Sequence, residues 1–499
     1  MSTILKLVTF VYGEEPAQTI VEKIEALIDE FRPEIVPPSQ FFTEQDVILI
    51  TYGDMVSAEG ERPLATLHTF LNHHAKEIVN TVHILPFYPY SSDDGFSVID
   101  YTQVNPDFGN WDDIKRLRQD FKLMFDAVIN HISQKSEWFQ AFLEDEAPYR
   151  EYFTVVDPHE DLTAVFRPRT LPLLTPAQTP SGLKHVWTTF SADQIDLNYE
   201  SVDLLLEILR VLLIYVQNGA DLIRLDAIGF MWKEIGTRCL HLPQTHTLIQ
   251  LMRLVLEEVA PATSLVTETN VPHEENISYF GNGRNEAQMV YNFSLPPLTL
   301  HAFHTGNATI LSDWARTLAP PSDTTTFFNF CASHDGIGVT PARGILSEHD
   351  IQAMAHHIER LGGFVSYKTN SNGTQAAYEL NMNYYDALKN PDIAEDTQIC
   401  INRFLTSQAI MLALRGVPGI YFHSLFGSLS WFEGVRQTQH NRTINRQKLT
   451  KAQLETEIKN GRRYAIFSGY SAFLKARKKC TAFHPNAQQT VLALHPAVF

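Results

Sequence analysis

Eight short apolar runs recur along the chain: Val47–Tyr52, Val79–Leu85, Leu123–Ile129, Leu222–Asp226, Leu265–Glu268, Met289–Phe293, Thr326–Cys331 and Gly419–Phe422. Each is too short for a core helix, and several are almost wholly apolar, as strands buried on both faces should be. Segments of helical period lie between them, among them Leu64–Lys76, Val202–Gln217 and Thr247–Glu258; the last two end near the breakers Gly219 and Pro261. Strands that alternate with helices pair in parallel, and eight such units predict an α/β fold of the (β/α)8 barrel type.

The spacing of the runs predicts excursions from that barrel. The third and fourth are separated by 222 − 129 = 93 positions, a stretch containing Pro158, Pro168, Pro172, Pro176 and Pro180 and far longer than a βα connection needs. They predict an inserted subdomain over 132–200. A second excursion, 342–395, holds Gly362-Gly363 and the Asn370–Gly373 turn cluster and reads as a loop-rich cap. The barrel is then built from 1–131 (with an N-terminal extension), 201–341 and 396–480. Both excursions fall at the carboxyl ends of strands, where barrels of this kind place their sites.

Composition narrows the function. At 499 residues with 44% hydrophobic and 19% charged, the chain supports a large core and is neither disordered nor a small stapled module. Its charge of 39 − 57 = −18 opposes nucleic-acid binding. Cys239, Cys331, Cys400 and Cys480 lie far apart with no metal-ligand spacing, so they predict buried, reduced thiols, no disulfide framework and no metal site. The segment Met1–Pro16 reaches Glu14 and Glu15 before an apolar core of leader length develops, and no run approaches the ~18–20 apolar residues of a membrane span. A cytoplasmic protein without a membrane partner is the expectation.

Acidic residues at the ends of apolar strands carry the chemistry. Arg224 and Asp226 alternate with Ile223 and Leu225, so both charges share one face, and the arginine should keep the aspartate ionised. Glu268 ends the fifth run, Asp335 follows the seventh, and Asp126, Asn130 and His131 cluster at the end of the third. A barrel brings these ends to one mouth. Glycosyl transfer needs such a set: one carboxylate attacks the anomeric carbon, a second donates a proton to the leaving oxygen, and a third stabilises the oxocarbenium-like charge.

These residues resemble the α-amylase family of glycoside hydrolases, glycoside hydrolase family 13, and within it the sucrose phosphorylase branch. Asp126–His131 is similar to the family's first region, Arg224-Leu225-Asp226-Ala227 to the second, Glu268 to the third and His334-Asp335 to the fourth. The resemblance implies Asp226 as nucleophile, Glu268 as acid/base and Asp335 as transition-state stabiliser, with Arg224, His131 and His334 at the glucosyl unit. Asp93–Asp100 resembles the branch's sugar-binding loop, with Asp93 and Phe96 beside glucose. Phe166-Arg167-Pro168-Arg169 is similar to a motif whose last arginine approaches phosphate. Asn441–Arg446 resembles the motif that pairs Arg442 with Asp93, and Tyr378-Glu379 stands at the acceptor loop. Local positive charge for phosphate is expected from Arg169, with His334 or Lys184 as further sources.

Several residues depart from the sucrose phosphorylase pattern: Glu379 for glutamine, Thr269-Asn270 where a histidine is common, and Phe166 and Phe230 for tyrosine. All surround the leaving group, and the pattern looks more like relatives that act on glucosylglycerate, glucosylglycerol or sucrose 6-phosphate. The resemblance implies a double-displacement phosphorylase that transfers glucose from a small α-glucoside to phosphate, giving α-glucose 1-phosphate, without metal or organic cofactor, as a monomer or homodimer. An α-glucosidase or transglucosidase using water or a sugar is the alternative. The family normally ends in a small antiparallel β domain, of which 481–499 would be only a remnant.

Overall fold

The apolar runs pair side by side until they close on themselves. In the computed structural model, which describes residues 2–32, 42–369 and 374–499, they form β1 (Ile48–Thr51), β2 (Thr81–Ile84), β3 (Lys122–Ala127), β4 (Ala220–Leu225), β5 (Ser264–Thr267), β6 (Met289–Tyr291), β7 (Thr326–Asn329) and β8 (Val417–Tyr421). Each strand lies parallel to its neighbours in chain order, and Leu49 opposite Ile420 closes β1 onto β8. This is the (β/α)8 barrel expected. Apart from Lys122 at the entry of β3, every barrel-strand residue is buried, which is why the runs carry no polar alternation. Gly419 of β8 leaves room inside the barrel: a Cβ there would lie 2.2 Å from the Phe328 ring of β7.

Helices cover the outside. Val202–Gln217 starts at Ser201, whose hydroxyl accepts from the Leu204 N–H, and buries Leu204, Leu205, Ile208, Leu209 and Leu212 on one stripe. The N-terminal helices Thr3–Tyr12 and Glu14–Phe31 pack against it and against Pro243–Val259. The last residues lie along the helix Thr309–Thr317, with Arg316 Nε donating to the Val491 carbonyl at 3.3 Å; His495 and Val498 form a single bridge.

Two excursions rise over the carboxyl ends of the strands. The first leaves β3 through His131–Ser133, which returns as the antiparallel partner Gln194–Asp196, and between them stands the hairpin Leu174–Thr179 with Gly182–Trp187. Its Val156, Val165, Leu173 and Trp187 form a small core of their own with Cys239. The second carries the helix Glu348–Arg360 and a sheet in which Gln375–Asn381 lies between Ile337–Gly338 and Phe364–Thr369. Ser366 faces Glu379 but Tyr367 faces Ala377, so Tyr378 is the extra residue of a bulge, a device that re-aims a side chain. The Asn370–Gly373 cluster lies outside the described residues. Three cysteines are buried as expected; Cys480 is exposed, since it follows the last turn of the surface helix Gly461–Arg477.

Candidate active site

The floor of the site is a register pair. Asp126 on β3 stands opposite Arg224 on β4, and both are buried. Arg224 Nη1 donates to Asp126 and, at 2.8 Å, to Asp226 Oδ1, while Nη2 lies 3.8 Å from Glu268 Oε1. His83 on β2 takes the other oxygen of Asp126 at 2.8 Å. After Asp226 the chain turns through Ala227 in the left-handed region (φ 49), rare for a residue with a Cβ, and this aims its N–H at Glu268 Oε2, 3.0 Å away.

Loops supply the walls. Phe96 stacks flat on His334 (centroids 4.7 Å, 3°) and its carbonyl meets His131 Nε2 at 2.9 Å. Asp93 and Asp94 both take positive φ, followed by Gly95 (φ 110), where a Cβ would meet the Pro86 carbonyl oxygen at 2.5 Å. Arg446 holds this turn, reaching Asp93 at 3.1 Å and Asp94 at 2.7 Å through Nη1. The expected Asp93–Arg442 pair is not formed. Arg442 is occupied elsewhere, by Asp335 (2.5 Å) and by both oxygens of Glu379 (3.1 and 2.6 Å), which leaves Asp93 to Arg446.

A recess opens among these groups. Of the residues expected from sequence, Asp93, Phe96, His131, Phe166, Arg169, Asp226, Phe230, Glu268, His334, Asp335, Tyr378 and Arg442 all line it. Arg224 and Glu379 do not: the first lies beneath the carboxylates and the second behind Arg442, 1% exposed. Lys184 is not a source of charge here, because it is bound to Asp145 (2.8 Å) in the inserted segment. Thr269 and Asn270 line the recess too; Phe190 and Gln194 do so without having been anticipated as site residues, and Gln194 Nε2 reaches the Phe96 carbonyl at 3.0 Å.

The electrostatics separate the carboxyl groups. Burial, with Asp226 and Asp335 nearby, pushes Glu268 up to about 7 against the pull of Arg224. Burial also pushes Asp226 above the usual aspartate range, further than its arginine alone would have suggested. Its direct charged hydrogen bond to Arg224 still favours its anion, whereas Glu268 takes only a backbone N–H at that length; a proton shared between them rests on Glu268. For Asp335 burial is outweighed by the guanidinium groups of Arg442 and Arg446, and its carboxyl stays well below the usual range. His334 is lowered to about 3 by burial, so it is neutral and supplies no positive charge. Arg169 lies over the Tyr378 ring at 5.9 Å and has no carboxylate partner among the described residues, which leaves a cation facing the recess.

The family model for the catalytic domain of α-amylase matches residues 75–340, the stretch that holds β2 to β7 and the three carboxylates. A glucosylglycerate phosphorylase of Allomeiothermus silvanus is 51% identical over 98% of this chain and 88% of its own. The chain belongs to the α-amylase family. A sucrose phosphorylase of Streptococcus mutans is 28% identical over 83% of this chain and 84% of its own. Among solved structures, a sucrose 6F-phosphate phosphorylase from Thermoanaerobacter thermosaccharolyticum superposes with a TM-score of 0.80 at 24% identity, covering 92% of this chain and 91% of that one, and thus shares the fold. Within the α-amylase family the chain is a glucoside phosphorylase of the sucrose phosphorylase type.

Proposed function

We propose that this chain is a retaining phosphorylase that takes α-glucosylglycerate and inorganic phosphate and forms α-glucose 1-phosphate and glycerate. Asp226, held toward its anion by Arg224, attacks C1; Glu268 gives its proton to the departing oxygen; phosphate then attacks C1 of the β-glucosyl enzyme while Glu268 recovers the proton. Asp335, kept ionised by Arg442, stabilises the oxocarbenium-like charge in both steps. The glucosyl unit lies against Phe96, His131, His334 and Asp93. No step calls for a metal or an organic cofactor.

The observation that carries the phosphate half is Arg169, a guanidinium facing the recess without a carboxylate of its own. An anionic leaving group is supported by the same edge of the site. Phe166 carries Lys368 at 5.2 Å from its centroid, a cation without a carboxylate partner among the described residues, beside Arg238, which is paired with Glu275; Lys368 suits an anionic group that fructose would not bring. The higher identity to a glucosylglycerate phosphorylase than to a sucrose phosphorylase points the same way. Cysteines free of disulfides suit the cytoplasm.

The test is incubation with glucosylglycerate, glucosylglycerol, sucrose and sucrose 6-phosphate, each with and without phosphate, assaying glucose 1-phosphate and free glucose separately. Phosphate-dependent glucose 1-phosphate from glucosylglycerate is expected. Free glucose formed at the same rate without phosphate would instead make the enzyme a hydrolase.

A further inference from the structure

Glu379 sits in a place its charge does not explain by substrate contact. It lies on Gln375–Asn381, almost fully buried, and borders the outer cleft beside Arg442 rather than the catalytic recess itself. Both of its oxygens are bound by Arg442, through Nε and Nη2, and the remaining Nη1 of that guanidinium is on Asp335 Oδ1. The chain makes room for this arrangement. A Cβ on Gly336, the residue after Asp335, would come within 2.6 Å of Glu379 Cγ, although Gly336 is not in the left-handed region. Space, and not backbone conformation, selects glycine there. The neighbouring Gly338 is the register partner of Glu379, so the cap strand and the Asp335 loop are joined at this point.

We propose that Glu379 is a positioning residue, a latch that acts through Arg442 to hold Asp335 in its working orientation. The inference rests on the reading of Asp335 as the carboxylate that stabilises the glucosyl transition state. A carboxylate accepts at both oxygens and matches the planar guanidinium fork. Glutamine at this position would present one oxygen and one NH2 group, so one of the two contacts becomes donor against donor. Arg442 would then have a single firm anchor, and Asp335, whose strongest partner it is, would lose its fixed geometry.

The test is E379Q assayed with α-glucosyl fluoride, a donor without an aglycone, beside glucosylglycerate, with rates referred to the folded fraction from thermal melting. Misplacing a transition-state group by about 1 Å costs roughly a hundredfold, so kcat should fall about tenfold to a hundredfold on both donors, with phosphate KM changing much less. In an R442Q background E379Q should cost nothing more, because its only route to the site is gone. G336A, which crowds Glu379 while keeping its charge, should lower kcat in the same donor-independent way and serves if E379Q folds poorly. A kcat within twofold of the parent, with or without a lower melting temperature, would reduce Glu379 to a structural ion pair and overturn the proposal. So would a loss confined to glucosylglycerate, which would make Glu379 an aglycone contact. Glucosyl fluoride consumed without any effect of phosphate in the parent enzyme would refute the phosphorylase reading and leave the latch intact.

Discussion

The protonation of Glu268 is the feature on which turnover at neutral pH depends. Its carboxyl sits at about 7 where an ordinary glutamate loses its proton at 4.5, a bias of roughly 3 kcal/mol against the anion. Protonated Glu268 is the form that starts the reaction. The kcat/KM for the glucosyl donor should therefore fall about tenfold per pH unit above about 7. In a double-displacement scheme that parameter reports the first half-reaction alone, so the ionisation of phosphate does not enter it. Glu268→Gln removes the proton while keeping the shape, and with glucosylglycerate, whose alkoxide cannot leave unaided, it should cost about 10²- to 10⁴-fold. With α-glucosyl fluoride, whose leaving group needs no proton, the cost should be less than about tenfold and the basic limb should vanish. Steady-state kinetics of both donors from pH 5 to 9, parent against variant, decide the matter. A basic limb that survives in E268Q, or an equal loss on both donors, would refute the assignment of Glu268 as the acid.

Other outcomes follow from the surrounding geometry. Arg169→Gln should raise phosphate KM about tenfold to a hundredfold, the value of a hydrogen bond between charged groups, while the rate of glucosylation by glucosyl fluoride stays unchanged; a stopped-flow comparison would show it. Arg446→Met leaves the partly exposed Asp93 without its closest cation, so urea unfolding should show a loss of about 1–3 kcal/mol and donor KM should rise with it. Gly419→Ala forces a methyl against the Phe328 ring inside the barrel and should destabilise by about 1–3 kcal/mol, read by urea unfolding, without altering donor preference.

The barrel was legible because its strands are buried on both faces, which leaves short runs dominated by apolar residues. Val202–Gln217 was readable to the residue, since Ser201 caps it and Gly219 follows it. Asp226, Glu268 and Asp335 stood out because carboxylates at apolar strand ends have no bland explanation in combination. His83 also left a signal, a polar residue between Val82 and Ile84 in a buried strand, and its partner proved to be Asp126. The choice between Arg442 and Arg446 was not readable. Arg442 lies in the short turn Asn441–Asn445 and Arg446 follows it, and which one reaches Asp93 is settled by Asp335 and Glu379 competing for the other. Phe190 and Gln194 come from an inserted segment with no periodic pattern, so nothing in the sequence marked their direction.

The Asp93–Arg446 bond joins residues 353 positions apart, and nearby Val56 pairs with Leu449 and Asp54 binds Lys448. On a ribosome adding ~5–20 residues per second, roughly 20–70 s separate the appearance of the two partners. Through that interval the Asp93-Asp94 turn has no cation to hold it, and a nascent chain carrying seven finished strands still lacks a place for glucose. The enzyme cannot act on its substrate while it is being made; its activity arrives with the last barrel strand and the turn that follows it.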